Sequence, residues 1–132
     1  MNPRSQLVPV GEALVLGELP TQMHAYVIRA GRFGVPTQSF VPEVIDVWIP
    51  GPGEVLVRVM AAGVNFNGIW AGLGSPVNIL ANHGLDLVVP GSDASGVVWA
   101  IGEGVTGWKV GDEVVLHCNH LLEPGASDLQ TI

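Results

Sequence analysis

The sequence predicts a mainly β domain, a small and partly open β-barrel carrying one or two short helices. Three observations predict it. Apolar residues alternate with a period of two rather than 3.6, the alternating segments are short, and turns rich in Gly and Pro separate them, the chain having 18 glycines and 10 prolines. A chain of 132 residues that is 48% apolar buries roughly two thirds of the surface it exposes when unfolded, so one core forms without a metal or disulfide staple.

Taken in order, the first strand is expected over His24–Arg29 and the second over Glu43–Trp48. Pro50, Gly51, Pro52 and Gly53 then make a turn, Pro fixing φ and Gly admitting positive φ. From Glu54 to Ala61 the odd positions Val55, Val57, Val59 and Ala61 are apolar while Glu54 and Arg58 fall on the other face, the pattern of a half-buried strand. Over Asn67–Leu73 the spacing of Ile69, Trp70 and Leu73 fits one or two helical turns. Gly74, Pro76, Asn78, Asn82, Gly84 and Pro90 break up residues 74–90, which read as a long loop over one end of the barrel. Ser95–Ile101 and Glu113–Cys118 supply the last strands, with turns at Gly102, Gly104, Gly107 and Gly111 between them. Residues 1–21 read as an N-terminal arm, 22–120 as the domain and 121–132 as a C-terminal tail.

Composition excludes several classes of function. Only 13% of residues are charged, about half the ~25% usual in globular domains, which argues against disorder. Five basic residues stand against twelve acidic ones, a net charge of −7, and no basic cluster exists, so a nucleic-acid partner is not expected. Cys118 is the only cysteine, which leaves no intramolecular disulfide and no multi-cysteine zinc site. The apolar stretch Leu7–Leu19 is broken by Pro9, Gly11, Glu12 and Glu18, so neither a signal peptide nor a membrane span is expected, and the chain reads as cytoplasmic.

Three ordered segments carry a resemblance. Ala61-Ala62-Gly63-Val64-Asn65-Phe66-Asn67-Gly68, Pro90-Gly91-Ser92-Asp93-Ala94-Ser95-Gly96-Val97 and Gly107-Trp108-Lys109-Val110-Gly111-Asp112-Glu113-Val114 resemble the GroES-like N-terminal lobe of the medium-chain dehydrogenase/reductase superfamily. Within it, Asn65-Phe66-Asn67, Trp70 and Val114-Val115-Leu116-His117-Cys118-Asn119 are similar to crotonyl-CoA carboxylase/reductases. The resemblance spans about residues 22–120, one lobe of a much larger enzyme, and implies a GroES-like barrel. It also implies that a nicotinamide cofactor sits on a downstream Rossmann domain, of which nothing follows Gly111. Gly102-Glu103-Gly104 is a partial G-x-G pattern with no long helix after it and reads as a strand turn. The zinc ligands of the superfamily's alcohol dehydrogenases are missing, with Ser92-Asp93 in that region. Neither a cofactor nor a metal is therefore expected on this chain, and it is not expected to transfer a hydride alone. The polar ending after Pro124-Gly125 suggests a stand-alone chain that has kept one lobe.

The candidate catalytic residues are Asn65, Asn67, Asp93 and His117; the candidate substrate-binding residues are Trp70, Phe66 and His83. If extended, Asn65 and Asn67 share a face and offer amides beside Trp70; alternatively one of them caps the short helix. In carboxylating reductases an asparagine of this motif contributes to carbon dioxide binding, and the resemblance leaves open which of the two it is. Asp93 is either a general acid/base or the carboxylate that satisfies its own turn, Ser92 and Ser95 lying close in sequence. His117 and Cys118 adjoin, but strand neighbours point to opposite faces, which makes a base–nucleophile pair poor and leaves a buried His117 as the simpler reading. His83 lies in the long loop, within reach of a substrate or simply solvated, and His24 is read as structural. Trp99 and Trp108 are expected in the core, whereas Trp70 is expected to line a cavity.

Two functions of different class fit these residues. One is a cofactor-independent enzyme that binds a hydrophobic acyl or polyketide-like substrate and promotes cyclisation, isomerisation or dehydration by orientation and a few hydrogen bonds. The other is the substrate-binding half of a split NADPH-dependent enoyl-thioester reductase, or a non-catalytic binding module. Both leave an apolar face to bury against a partner chain or a second copy.

Overall fold

The computed structural model describes residues 7–12, 14–116, 119–121 and 129–131. In chain order the elements are β1 (Gln22–Arg29), α1 (Pro36–Ser39), β2 (Val41–Asp46), β3 (Val55–Ala62), α2 (Phe66–Leu73), α3 (Ile79–His83), β4 (Leu87–Val88), β5 (Ala94–Ile101), β6 (Glu113–Leu116), β7 (Asn119–Leu121) and β8 (Leu129–Thr131). The domain is mainly β, as the alternation requires. Among the described residues the strands form two three-stranded sheets, ordered β2-β1-β4 and β3-β5-β6, and a β7-β8 ribbon, with no closed barrel.

The core residues of each three-stranded sheet come mainly from its central strand. In β1, Val27 and Ile28 are fully buried, and Ile45 on β2 joins them; β1 runs antiparallel to β2 from Gln22↔Asp46 to Val27↔Val41. In β5, Val98 and Trp99 are buried. The Trp99 indole Nε1 donates to the Glu18 carbonyl at 2.7 Å, and the Arg58 guanidinium lies 4.9 Å above its ring. Through Glu18, and through a parallel bridge between Leu7 and Gln22, the segment before β1 is tied to both sheets. Trp108, expected in the core, is 53% exposed, because the glycine turns after β5 carry it out to the surface instead of into a strand.

The stretch 74–90, expected as a loop, contains α3 and β4. Asn78 caps α3, its Oδ1 accepting from the Ala81 N–H at 3.0 Å, and Gly84 ends it in the left-handed conformation at φ 62°. Leu80 is buried, and β4 extends the first sheet at Ile28↔Val88 and Arg29↔Leu87. The breakers read as loop residues are thus the caps of a short helix. α1 was also not foreseen: Pro36 opens it, and the buried Ser39 hydroxyl shares its proton between the Gly72 carbonyl at 2.9 Å and the Val35 carbonyl at 3.1 Å, docking α1 on α2.

The second strand spans Val41–Asp46, two residues earlier than expected, so Trp48 and Ile49 lie beyond it and are exposed. β3 departs further from the expected half-buried pattern. Val59 and Met60 on opposite faces are both more than half exposed. β3 is an edge strand, its register against β5 shifts between Leu56 and Val57 and again between Val59 and Ala61, and its far half leaves the sheet's cover.

Gly96 sets how close β3 and β5 come. It lies in the middle of the β3–β5–β6 ladder, opposite both Val59 and Val114, and a Cβ there would overlap the Arg58 carbonyl oxygen. That atom belongs to a backbone in a ladder and cannot move away cheaply. Gly96→Ala is expected to cost about 3 kcal/mol, the upper end for overpacking, read as a lower midpoint in chemical denaturation.

At one end of the first sheet Glu43 holds two guanidiniums. Arg29 donates from Nη2 at 2.8 Å and from Nε at 3.1 Å to its Oε2, and Arg32 donates from Nη1 at 2.5 Å to Oε1. These hydrogen bonds, first Arg29's and then Arg32's, hold the Glu43 carboxyl down to about 2, against an ordinary 4.5. Because the folded value is the lower one, the stabilisation is complete above about pH 4.5 and is lost as pH falls towards 2. Glu43→Gln is therefore expected to flatten the acid limb of a stability–pH profile recorded by thermal denaturation between those values.

Candidate functional site

The site is built where β3 ends and β5 begins. Ala62 pairs with Ala94, so the residues leaving β3 and those entering β5 run side by side. α2 starts from this crossing. Asn65 is its N-cap, extended at φ −145° and ψ 171°, with Oδ1 accepting from the Asn67 N–H at 2.9 Å. The Asn65 Nδ2 donates to Asp93 Oδ1 at 2.6 Å. The Asn67 Nδ2 donates to Ser92 Oγ at 3.3 Å, and Ser92 Oγ donates to Asp93 Oδ1 at 3.0 Å. Two amides, a hydroxyl and a carboxylate from two segments more than 20 residues apart thus form one connected, exposed quartet.

Gly63 makes the quartet possible, because a Cβ there would strike Asp93 Oδ2. It also lines two open grooves that flank the quartet. One, of about 300 Å³, is walled by Phe40, Val64, Asn65, Ile69 and Pro90. The other, of about 360 Å³, is walled by Ala61, Ala62, Asp93, Ser95 and Val115. Both are largely apolar, with the quartet's polar atoms on the ridge between them.

The family model of the alcohol dehydrogenase GroES-like domain matches residues 51–130, a stretch that contains β3, the quartet and β5. The chain belongs to this GroES-like family. A crotonyl-CoA carboxylase/reductase of Cereibacter sphaeroides is 52% identical over 117 residues, which cover 89% of this chain and 27% of that protein. A crotonyl-CoA reductase of Streptomyces avermitilis is 43% identical over 88 residues, covering 55% of this chain and 20% of that protein. A solved crotonyl-CoA carboxylase/reductase in complex with NADP matches with a TM-score of 0.83 at 41% identity, over 96% of this chain and 35% of its own. The chain spans about a quarter of the length of the curated relatives it matches.

On this GroES-like lobe the predicted site residues separate. Asn65, Asn67 and Asp93 come together, but not as two amides on one strand face: Asn65 caps the helix that Asn67 has already entered. Trp70 lies on α2, 48% exposed, outside the linings of both grooves. Phe66, the first residue of α2, is 70% exposed, and His83 ends α3 in solvent; neither lines a groove. His24 is exposed on β1. His117 and Cys118 lie outside the described residues. Sequence reasoning passed over Ser92 as a site member and gave Gly63 no role. A Ser beside a candidate carboxylate and a Gly next to the amide motif were the signals, but only the β3–β5 register makes them neighbours.

Among the described residues no three His, Cys, Asp or Glu side chains group closely enough to hold a metal ion, and no helix is long and apolar enough to cross a membrane. Gly102 does not cradle a dinucleotide: its N–H donates to the Glu54 carbonyl at 2.8 Å, and its Cα lies so close to the Gly51 carbonyl that a Cβ would overlap it. Gly102 therefore serves the turn after β5. For the cap, Asn65→Ala is expected to cost about 1 kcal/mol and to release the Asp93 carboxylate, read by thermal denaturation and by loss of amide exchange protection at Asn67.

Proposed function

We propose that this chain forms the substrate-side lobe of an NADPH-dependent enoyl-thioester reductase and works with a nucleotide-binding unit that covers the quartet from the other side. The observation that carries this reading is the half-open site. A polar quartet stands between two apolar grooves that open to solvent, and Val64, Phe66 and Val115 nearby are exposed with nothing among the described residues over them. Large uncovered apolar surface beside convergent polar groups is the mark of a site completed by another body. The kinship with crotonyl-CoA reductases supports the substrate class, a hydrophobic acyl thioester.

In this reading the lobe's own residues bind and orient. The apolar groove walls take the acyl chain. The Asn67 amide, hydrogen-bonded to Ser92 beside the Asn65–Asp93 pair, meets a carbonyl or carboxylate oxygen of the substrate, and such fixed placement lowers the barrier of a reaction whose other partner comes from the covering unit. Chemistry by the lobe alone, such as a cyclisation, is favoured by a chamber that excludes water, and among the described residues both grooves are open. The covering unit is a further part of a longer chain, a separate subunit, or a second copy presenting such a unit.

A chimera tests this. Residues 22–116 replace the corresponding segment of the Cereibacter sphaeroides enzyme, and NADPH absorbance is followed with crotonyl-CoA. Crotonyl-CoA-dependent NADPH consumption within about tenfold of the parent enzyme is expected, a barrier difference of about 1.4 kcal/mol. A chimera that folds and binds NADPH yet leaves crotonyl-CoA unreduced overturns the reading. Conversion of an acyl thioester by the 132-residue chain with no nucleotide present would favour the cofactor-independent alternative.

A further inference from the structure

We infer that Asp93 is a positioning residue that fixes which way the Asn67 amide faces, acting through Ser92. The argument rests on the proposed function only for what the oriented amide meets; the orientation itself follows from hydrogen-bond polarity. An ionised carboxylate only accepts and a backbone N–H only donates. Asn65 lies between one of each, the Asn67 N–H at 2.9 Å and Asp93 Oδ1 at 2.6 Å. Its oxygen must therefore face the helix and its nitrogen the carboxylate. Ser92 has one hydroxyl proton, and Asp93 Oδ1 at 3.0 Å takes it. Towards Asn67, 3.3 Å away, Ser92 Oγ can then only accept, so the Asn67 nitrogen must turn to Ser92.

The consequence falls on the solvent side of the ridge. With one Nδ2 hydrogen committed to Ser92, Asn67 keeps its Oδ1 and a second Nδ2 hydrogen, and among the described residues no partner is seen for either. Asn65 has given its Oδ1 to the cap, and its Nδ2 donates to Asp93 Oδ1 at 2.6 Å and, more weakly, to Ser92 Oγ at 3.5 Å. Of the two amides, Asn67 is thus the one left to meet a ligand with an acceptor and a donor together, in a sense set by a carboxylate it does not touch. Gly63 belongs to the same device, because its missing side chain is the space that Asp93 Oδ2 occupies. Replacing the carboxylate by an amide removes the polarity: Asn at 93 either accepts or donates, the Ser92 proton is free to point either way, and the Asn67 amide is free to flip.

The test is the side-chain amide spectrum of the full 15N-labelled chain, with the Asn67 pair assigned by its disappearance in Asn67→Asp. Asp93→Asn is expected to shift or broaden the Asn67 NH2 pair, as Ser92→Ala does, although Asp93 makes no hydrogen bond to Asn67. Gly63→Ala, which pushes the carboxylate aside without changing its charge, is expected to give the same change. An Asn67 pair that stays in place in Asp93→Asn and Gly63→Ala while moving in Ser92→Ala overturns the inference. The quartet is exposed, so the variants are expected to fold, and the backbone spectrum checks it; should Asp93→Asn fail, Gly63→Ala decides alone. In the chimera, Asp93→Asn is expected to lower kcat/KM about tenfold, the size of one lost hydrogen bond. A dead chimera with the amide shifts present sinks the reductase reading and leaves Asp93's role standing. An active chimera whose Asn67 pair ignores Asp93 does the reverse.

Discussion

The close approach of β3 and β5 is the constraint on which the site depends. Gly96 sits against the Arg58 backbone with no room for a side chain, and the ladder that passes through it ends at Ala62↔Ala94. The candidate quartet hangs from that last pair. Gly63 to Asn67 leave on one side and Gly91 to Asp93 arrive on the other, and at that separation an amide on one reaches a carboxylate on the other at 2.6 Å. A wider ladder would leave the same four side chains in water, each satisfied separately and none oriented.

Around this crossing the fold divides its apolar residues unevenly. A small set, including Val27, Ile28, Ile45, Leu80, Val98 and Trp99, is buried, while Met60, Val64, Phe66 and Val115 remain more than half exposed. Few charges compensate, since only 13% of residues are ionisable ones of this kind. A surface of this sort is costly in water unless something covers it. Of these exposed residues, Val64 and Val115 line the grooves beside the quartet, and the chain spans about a quarter of the length of its curated relatives; these two facts together support the proposed covering unit.

The sequence made most of the sheet legible because alternation and turn residues are local signals. β3 lies where apolar positions repeat every second residue, and β1, β5 and β6 are short apolar-rich segments set off by Gly and Pro. The loop expected over residues 74–90 shows the limit of that reasoning. Asn78 and Gly84 are breakers in one context and caps in another, and what selects the second is the burial of Leu80, which no local pattern reveals. Trp108 and the far half of β3 are the opposite case, apolar residues that look like core but that an exposed turn and an uncovered edge strand leave in solvent.

For the site, the sequence by itself determined the cast and the family: the Asn65-Phe66-Asn67 and Gly91-Ser92-Asp93 motifs carry both, because residue types and spacings are what a sequence records. Tertiary structure alone decided the roles. Asn65 became a helix cap and Asn67 the amide with capacity to spare; Trp70 stayed outside the grooves; Ser92 and Gly63 entered the site. The reason is physical. A hydrogen bond forms only within about 3.5 Å and in one direction, and between residues 25 to 28 positions apart both distance and direction are set by the register of two strands, which no property of either motif specifies.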